Sequence, residues 1–374
     1  MKHIVYIINV DWYFKLHWID RALFAMSNGY KVSIITTITD PEIQSELELL
    51  GFDVIDLNLN RKSLNPFKEI KYIVALYKKL IKAKPDIIHT ITIKPNIYMG
   101  LINKIVLKIP IVYSITGLGA IFSNSKFKYI KKIIVFLYKK ISVDNSRFIF
   151  ENNDDYDLFN KLNITNGNGV VIHGAGVDTC IYQSKRKPEI NSVLFASRLL
   201  KDKGLDTLIK SVTLLRDKGI KCDLNVAGII DEDVNNAIPL VEIKELNQKG
   251  IINWLGNCVD MVDVINKNAI VCLPTRYGEG VPRILIEAAS CERPIITTNV
   301  SGCREIVIDK KNGYLIDIDD SEALAYHLEY LFNNENVMLS MGKNGRDRVL
   351  SIYNKDIVLN KTFSIYLLVS NTHI

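Results

Sequence analysis

The chain has 374 residues, which at roughly 150 residues per domain makes room for two domains with separate buried cores and excludes a peptide ligand or disulfide-stapled miniature. With 48% hydrophobic and 24% charged residues it lies far from the composition of disordered chains. The net charge of +6 hides an asymmetry, since residues 1–188 hold 26 Lys+Arg against 16 Asp+Glu, residues 189–374 hold 21 against 25, and residues 61–147 alone hold 18 against 3.

Met-Lys-His at the start leads into an apolar run too short for a secretory h-region, and no uncharged apolar stretch reaches 18 residues, so a cytoplasmic, non-spanning protein is expected. Ile/Val-rich runs at 3–10, 31–36, 53–57, 86–90, 111–115, 148–151 and 170–173 alternate with helical patterns. They read as parallel strands covered on both faces. A polar run at 183–189 reads as a linker, after which strand runs recur at 192–197, 223–228, 252–255, 269–273, 294–298 and 314–316. Helical periodicity then takes over, with Ser321 as an N-cap and a last helix over 353–374. The fold class is therefore α/β, with two doubly wound, Rossmann-like domains at 1–185 and 186–352 and a C-terminal helix returning to the first. Their strand carboxyl ends would face a cleft, where ligands of such sheets bind and helix N-termini favour anions. The six cysteines form no CxxC pair and read as inert thiols.

Two segments carry the chemistry. In Leu273-Pro-Thr-Arg-Tyr-Gly-Glu279-Gly-Val-Pro282-Arg-Ile-Leu-Ile-Glu287, Pro282 suits a first helical turn. Glu279 then precedes the helix, Glu287 lies inside it, and the amides of Gly280 and Val281 can meet a sugar hydroxyl or phosphate. The plainer alternative pairs Glu287 with Arg283 one turn away and leaves Glu279 solvated. In Ser197-Arg198-Leu-Leu-Lys201-Asp-Lys203-Gly204, Arg198 and Lys203 follow a strand and could neutralise a diphosphate, or simply be solvated.

The order of Ser197-Arg198-Leu, Lys203-Gly204, Trp254-Leu-Gly256, Leu273-Pro-Thr, Glu279–x7–Glu287, Cys291-Glu-Arg-Pro and Gly302-Cys-Arg-Glu305-Ile-Val resembles the retaining nucleotide-sugar glycosyltransferases of family 4, which have the GT-B fold. In the first half, Val10-Asp-Trp-Tyr-Phe14, His89-Thr-Ile-Thr-Ile-Lys94-Pro, Ser114-Ile-Thr116-Gly117 and Gly174-Ala-Gly-Val-Asp178 resemble the bacterial subgroup that builds lipid-diphosphate-linked surface glycans such as O-antigen and capsule. The resemblance implies a UDP-sugar donor and an undecaprenyl-diphosphate-linked glycan acceptor. It implies diphosphate ligation by Arg198 and Lys203, ribose contact by Glu287, donor contacts from Gly280 and Val281, and Glu279 on the transferred sugar. No cofactor or metal is implied. Three positions depart from the family: Asn9-Val-Asp-Trp replaces a Gly-rich loop, Ser114-Ile-Thr116-Gly117 replaces a His after the fifth strand, and Glu292 replaces a common Gly.

His17, His89, Lys94, Thr116 and Gly117 remain acceptor-side candidates. The Asp231/Asp233 and Asp317/Asp319 pairs read as chance loop acids rather than a metal site. The segment 126–140 sets Phe127, Ile130, Ile133, Ile134 and Leu137 at helical spacing, with Ile141 following, and Lys126, Lys128, Lys131, Lys132, Lys139 and Lys140 around them. It reads as an interfacial helix on the inner face of the cytoplasmic membrane or as a core helix with a solvated basic face. Nucleic acid is not an expected partner, since no recognition motif accompanies the charge. A UDP-sugar epimerase and a non-catalytic sugar-binding protein are the rival readings; an NAD-dependent dehydrogenase lacks its GxGxxG.

Overall fold

The computed structural model describes residues 1–57, 66–119, 122, 127–230 and 236–371, which divide into two compact units. The first takes Met1–Ala175 and Asp356–Ile374, the second Gly176–Lys355. The chain passes into the second unit ahead of the polar run at 183–189. Arg346 already ties the residues before that run to the second unit, donating to Thr179 O at 2.9 Å and Tyr182 O at 2.7 Å.

The first unit holds β1 (His3–Ile7), β2 (Lys31–Thr36), β3 (Asp53–Asp56), β4 (Ile87–Ile91), β5 (Ile111–Ile115), β6 (Ser146–Phe150) and β7 (Gly169–Val171), in the order β3-β2-β1-β4-β5-β6-β7. The second holds β8 (Glu189–Ala196), β9 (Asp223–Ala227), β10 (Asn253–Gly256), β11 (Asn268–Leu273), β12 (Ile295–Thr298) and β13 (Gly313–Ile316), in the order β10-β9-β8-β11-β12-β13. Every pairing is parallel. Strands β1, β4, β5 and β11 are buried at every position, because helices cover both faces of a doubly wound sheet. The strand order reverses direction between β1 and β4 and again between β8 and β11. Loops leaving those strands diverge to opposite faces, which opens a crevice at their carboxyl ends.

Carboxylates and an amide begin several helices. Asp40, Asn152 and Asp260 accept backbone amides at the starts of Pro41–Leu49, Asn153–Lys161 and Met261–Lys267. At Ser321–Asn333 the cap is Asp320, which accepts the Ala323 amide at 2.8 Å, so Ser321 is the first helical residue rather than the expected N-cap. Glu292 sits at φ 57°, in the left-handed region, which explains why a Gly suits this turn. Of the six thiols, Cys222, Cys272, Cys291 and Cys303 are buried and unbridged.

The C-terminal helix Lys355–Asn371 joins the first unit through buried polar bonds. The Tyr366 hydroxyl lies 2.6 Å from both Tyr6 Oη and His89 Nδ1, and His89 Nε2 lies 2.7 Å from Ser114 Oγ. Arg21 adds bonds to Thr362 Oγ1 at 3.1 Å and Gly174 O. His89 is thus no acceptor-side residue: it is fully buried, with both ring nitrogens engaged inside the core. Burial, and next the positive charge of Arg21, hold its pKa well below the ordinary histidine value. The native state keeps His89 neutral, while the unfolded chain gains a proton below about pH 6.5, so stability falls as pH drops through that value. We expect the melting temperature to fall between pH 7.5 and 5.5, and to fall less in His89→Gln. An equal acid loss in wild type and variant would show that His89 does not carry the effect.

Candidate functional site

At the crevice of the second sheet, β8 is followed by Arg198, a single 3-10 turn, Lys201–Lys203, and then the helix Leu205–Asp217. Gly204 makes the corner at φ 77°; a Cβ there would lie 2.0 Å from Pro274 O in the loop after β11. That loop carries Arg276, Tyr277 and Glu279 to the helix Arg283–Ser290, whose N-cap is Pro282 with ψ 120°. Pro282 therefore precedes the first helical turn instead of occupying it. The loop after β12 completes the cradle. Glu279 N donates to Ser301 O at 3.0 Å, and Gly302, at φ 82°, lies so close that a Cβ would meet Gly280 O at 1.6 Å.

These loops bring Lys203 and Glu279 together. Lys203 Nζ is 2.7 Å from Glu279 Oε1, with side-chain exposures of 8% and 17%, and it also lies 5.1 Å from the Tyr277 ring centroid. Burial pulls the Lys203 pKa down. Glu279, by charge and hydrogen bond, and Tyr277 pull it up by more, so the net shift is upward even with Arg198 acting against it. The result is a permanently protonated ammonium in a low-dielectric pocket, with a second cation close enough to be felt. Such an arrangement is suited to an anion that develops charge.

Glu287 is buried and bonded to Arg283 Nε at 2.7 Å, so the helical pairing that the spacing allowed does form. It also neighbours Tyr182, whose hydroxyl is pushed up in pKa by burial and by the Glu287 charge. Gly280 and Val281 are buried just ahead of the Pro282 cap. Arg276 and Gly302 stand within the quoted motifs, but residue order alone assigns neither of them a role at the site. Asp319 accepts from Arg276 Nε at 2.7 Å and from Thr207 Oγ1 at 3.1 Å, while Asp231 and Asp233 lie outside the described residues. No group of three His, Cys, Asp or Glu side chains able to hold a metal occurs among the described residues.

The acceptor-side candidates lie in the first unit. His17 is half-buried with its ring 4.5 Å from that of Tyr13. Lys94 Nζ pairs with Glu69 Oε1 at 3.2 Å, and the Tyr98 hydroxyl donates to Glu69 Oε2 at 2.5 Å. Thr116 and Gly117 follow β5, half-buried, with Gly117 at φ 105°. Where a Gly-rich loop was not found, Asn9 Nδ2 donates to Thr92 Oγ1 at 2.8 Å, bridging the ends of β1 and β4.

In the basic segment, the helix Lys128–Ile141 buries Ile134, Tyr138 and Ile141. Ile130 and Ile133, expected on the same apolar stripe, turn outward with Tyr129 and Phe136, the last three exposed by 59%, 79% and 56%. Lysines 128, 131, 132, 139 and 140 surround them, and Lys126 lies outside the described residues. No helix among the described residues is long and apolar enough to cross a membrane.

Comparison with known proteins accounts for both units. Residues 3–147 match the family Glycosyl transferase 4-like, and residues 181–348 match Glycosyl transferases group 1. The N,N'-diacetylbacillosaminyl-diphospho-undecaprenol alpha-1,3-N-acetylgalactosaminyltransferase of Campylobacter jejuni is 26% identical over 353 residues, 90% of this chain and 91% of its own. The UDP-Gal:alpha-D-GlcNAc-diphosphoundecaprenol alpha-1,3-galactosyltransferase of Escherichia coli is 24% identical over 319 residues, 82% of this chain and 81% of its own. Among solved structures, Anabaena HepE in complex with UDP and glucose superposes with a TM-score of 0.76 at 16% identity, covering 97% of this chain and 99% of that one. With two parallel Rossmann-like sheets, a 4-like first domain and a group 1 second domain, the chain is a glycosyltransferase of the GT-B fold.

Proposed function

We propose that the chain moves a hexose or N-acetylhexosamine from a UDP-sugar to an undecaprenyl-diphosphate-linked glycan in surface polysaccharide assembly, with retention of anomeric configuration and without a metal. The observation that carries this reading is the buried Lys203–Glu279 pair, with Arg198 beside it, at the crevice of the group 1 domain. Lys203 and Arg198 receive the donor diphosphate. As the anomeric carbon–oxygen bond breaks, negative charge grows on the departing UDP, and these preplaced cations stabilise it more than they stabilise the ground state. The acceptor hydroxyl attacks the same face of the sugar, and a phosphate oxygen of the leaving group takes its proton. Glu279 holds the hydroxyls of the transferred sugar; Glu287, steadied by Arg283, holds the ribose; backbone at Gly280 and Val281 lines the donor. Both relatives named above carry diphospho-undecaprenol acceptors in their names, and the E. coli relative also names UDP-Gal.

The test is incubation of purified protein with UDP-sugars and an undecaprenyl-diphosphate-linked acceptor, with and without EDTA. Expected are transfer to the lipid undiminished by EDTA and an anomeric proton coupling in the product equal to that of the donor. An inverted product, transfer abolished by EDTA, or epimerisation of the UDP-sugar alone would each contradict the corresponding part.

The proposal extends to the membrane that holds such an acceptor: the outward face of the helix Lys128–Ile141 docks on its anionic cytoplasmic surface. Exposed Tyr129, Ile133 and Phe136 ringed by lysines combine apolar anchorage with charge attraction, each lysine contributing about 1 kcal/mol near an anionic surface. Co-sedimentation with vesicles containing anionic lipid should exceed that with zwitterionic vesicles, and Ile133→Asp/Phe136→Asp should reduce it. Equal weak binding to both vesicle types removes the membrane from the reading.

A further inference from the structure

We propose that Arg276 is a positioning residue that sets the Lys203–Glu279 pair for donor binding, a role resting on the donor-site reading above. Arg276 belongs to the loop that carries Glu279, yet nearly all its bonds go to the segment around Lys203. Its amide donates to Asp202 O at 2.8 Å, and Nη1 donates to Lys201 O at 2.5 Å. On the other side of Lys203, Nη2 donates to Asp206 Oδ2 at 2.6 Å and Thr207 Oγ1 at 3.3 Å, in the first turn of the following helix. Nε reaches Asp319 Oδ1 at 2.7 Å in the loop after β13. Asp319 itself adopts φ 64°, a left-handed conformation that a non-glycine residue holds only when its surroundings fix it. One planar guanidinium therefore spans three loops that leave the sheet at its carboxyl edge.

The geometry has a direct consequence for the pair. Residues 201–202 and 206–207 bracket Lys203, so the arginine locks both ends of the turn that presents the ammonium, while its own backbone leads three residues on to Glu279. Two further contacts close the same seam: Thr275 Oγ1 donates to Asp202 O at 3.3 Å, and Gly204 packs on Pro274 O. A lysine at 276 could not reproduce this, because a compact ammonium on a flexible stem lacks the fixed fork that reaches a carbonyl and two carboxylates at once. Arg276 is paired with carboxylates in the resting protein, so its action on the donor passes through Lys203 and Glu279 and not through contact with substrate.

The experiment measures UDP binding by titration calorimetry, donor and acceptor KM, kcat and the melting temperature in wild type, Arg276→Ala, Arg276→Lys and Asp319→Asn. Arg276→Ala is expected to weaken UDP binding and raise donor KM about tenfold or more, leaving acceptor KM unchanged. Arg276→Lys should recover only part of this, and Asp319→Asn, which removes one anchor, should move the same two quantities by a smaller factor. Asp319→Asn keeps the question answerable if Arg276→Ala does not fold. A lowered melting temperature with unaltered UDP affinity and donor KM in the folded variants would make Arg276 merely structural and overturn the proposal. Failure of the wild type to bind UDP or any UDP-sugar overturns the donor-site reading itself and this inference with it.

Discussion

Replacing Lys203 by alanine is expected to reduce sugar transfer by about 100- to 1000-fold, the range found when a preorganised charge-stabilising group is removed. In the proposed mechanism this ammonium, almost fully buried and kept protonated by Glu279, is already in place when charge appears on the leaving diphosphate. The same substitution takes the Lys203 ammonium away from the Glu279 carboxylate in a site of low dielectric, which costs stability of about 3 kcal/mol. Loss of activity could then reflect loss of fold, and a double variant separates the two. Lys203→Met with Glu279→Gln replaces the ion pair by groups of similar volume, so its melting temperature should return toward wild type while transfer stays lost. Measured turnover within tenfold of wild type in a folded Lys203 variant would remove Lys203 from the charge-stabilising role.

The second large effect is expected at Gly302, which touches no substrate in the proposed mechanism. A Cβ at this position would stand 1.6 Å from Gly280 O and 2.6 Å from Glu279 O, and both atoms are backbone. The left-handed φ of 82° adds about 1–2 kcal/mol of strain for any residue with a side chain. Gly302→Ala must therefore push the Glu279–Gly280 segment away from the loop after β12. A displacement of about 1 Å in a catalytic group costs on the order of 100-fold in rate, so activity should drop by at least that factor, with donor KM rising. Gly219→Ala is the control: it too has a left-handed φ, of 77°, but nothing lies within 4 Å of its added Cβ. It should cost stability without the same loss of transfer. Similar activity losses in both variants would mean that backbone strain, and not the displaced loop, accounts for the effect.

The strands were legible because both faces of a doubly wound sheet are buried: Ile4-Val5-Tyr6-Ile7 or Ala269-Ile-Val-Cys-Leu273 can be apolar at every position only in such a setting. The loops of the candidate site stand out in the sequence by chemical type and order, with Arg198, Lys203 and Glu279 following strands and Glu287 inside the next helix. Single-residue boundaries were less so. Asp320 displaces Ser321 as a cap because a carboxylate one residue earlier reaches the Ala323 amide, and both residues are good caps on paper. The basic segment 126–140 was legible as amphipathic, but which apolar residues point inward depends on the neighbouring helix and sheet, so Ile134 is buried and Ile133 exposed.

His89 marks the limit on the other side. A histidine ending a strand beside a predicted crevice is a reasonable acceptor contact by sequence, yet Tyr6, Tyr366 and Ser114 enclose it, from positions 83, 277 and 25 residues away along the chain. By itself the sequence determined the two α/β domains, the parallel strands and the family to which their motifs belong, because those follow from local periodicity and from residue order. Only the tertiary structure decided that Lys203 and Glu279 face each other, that Arg276 bonds both ends of the turn presenting Lys203, and that Gly302 leaves no room for a methyl group. Those facts arise where loops from separate strands converge, and no local pattern encodes a distance between residues brought together from 22, 43 or 76 positions apart.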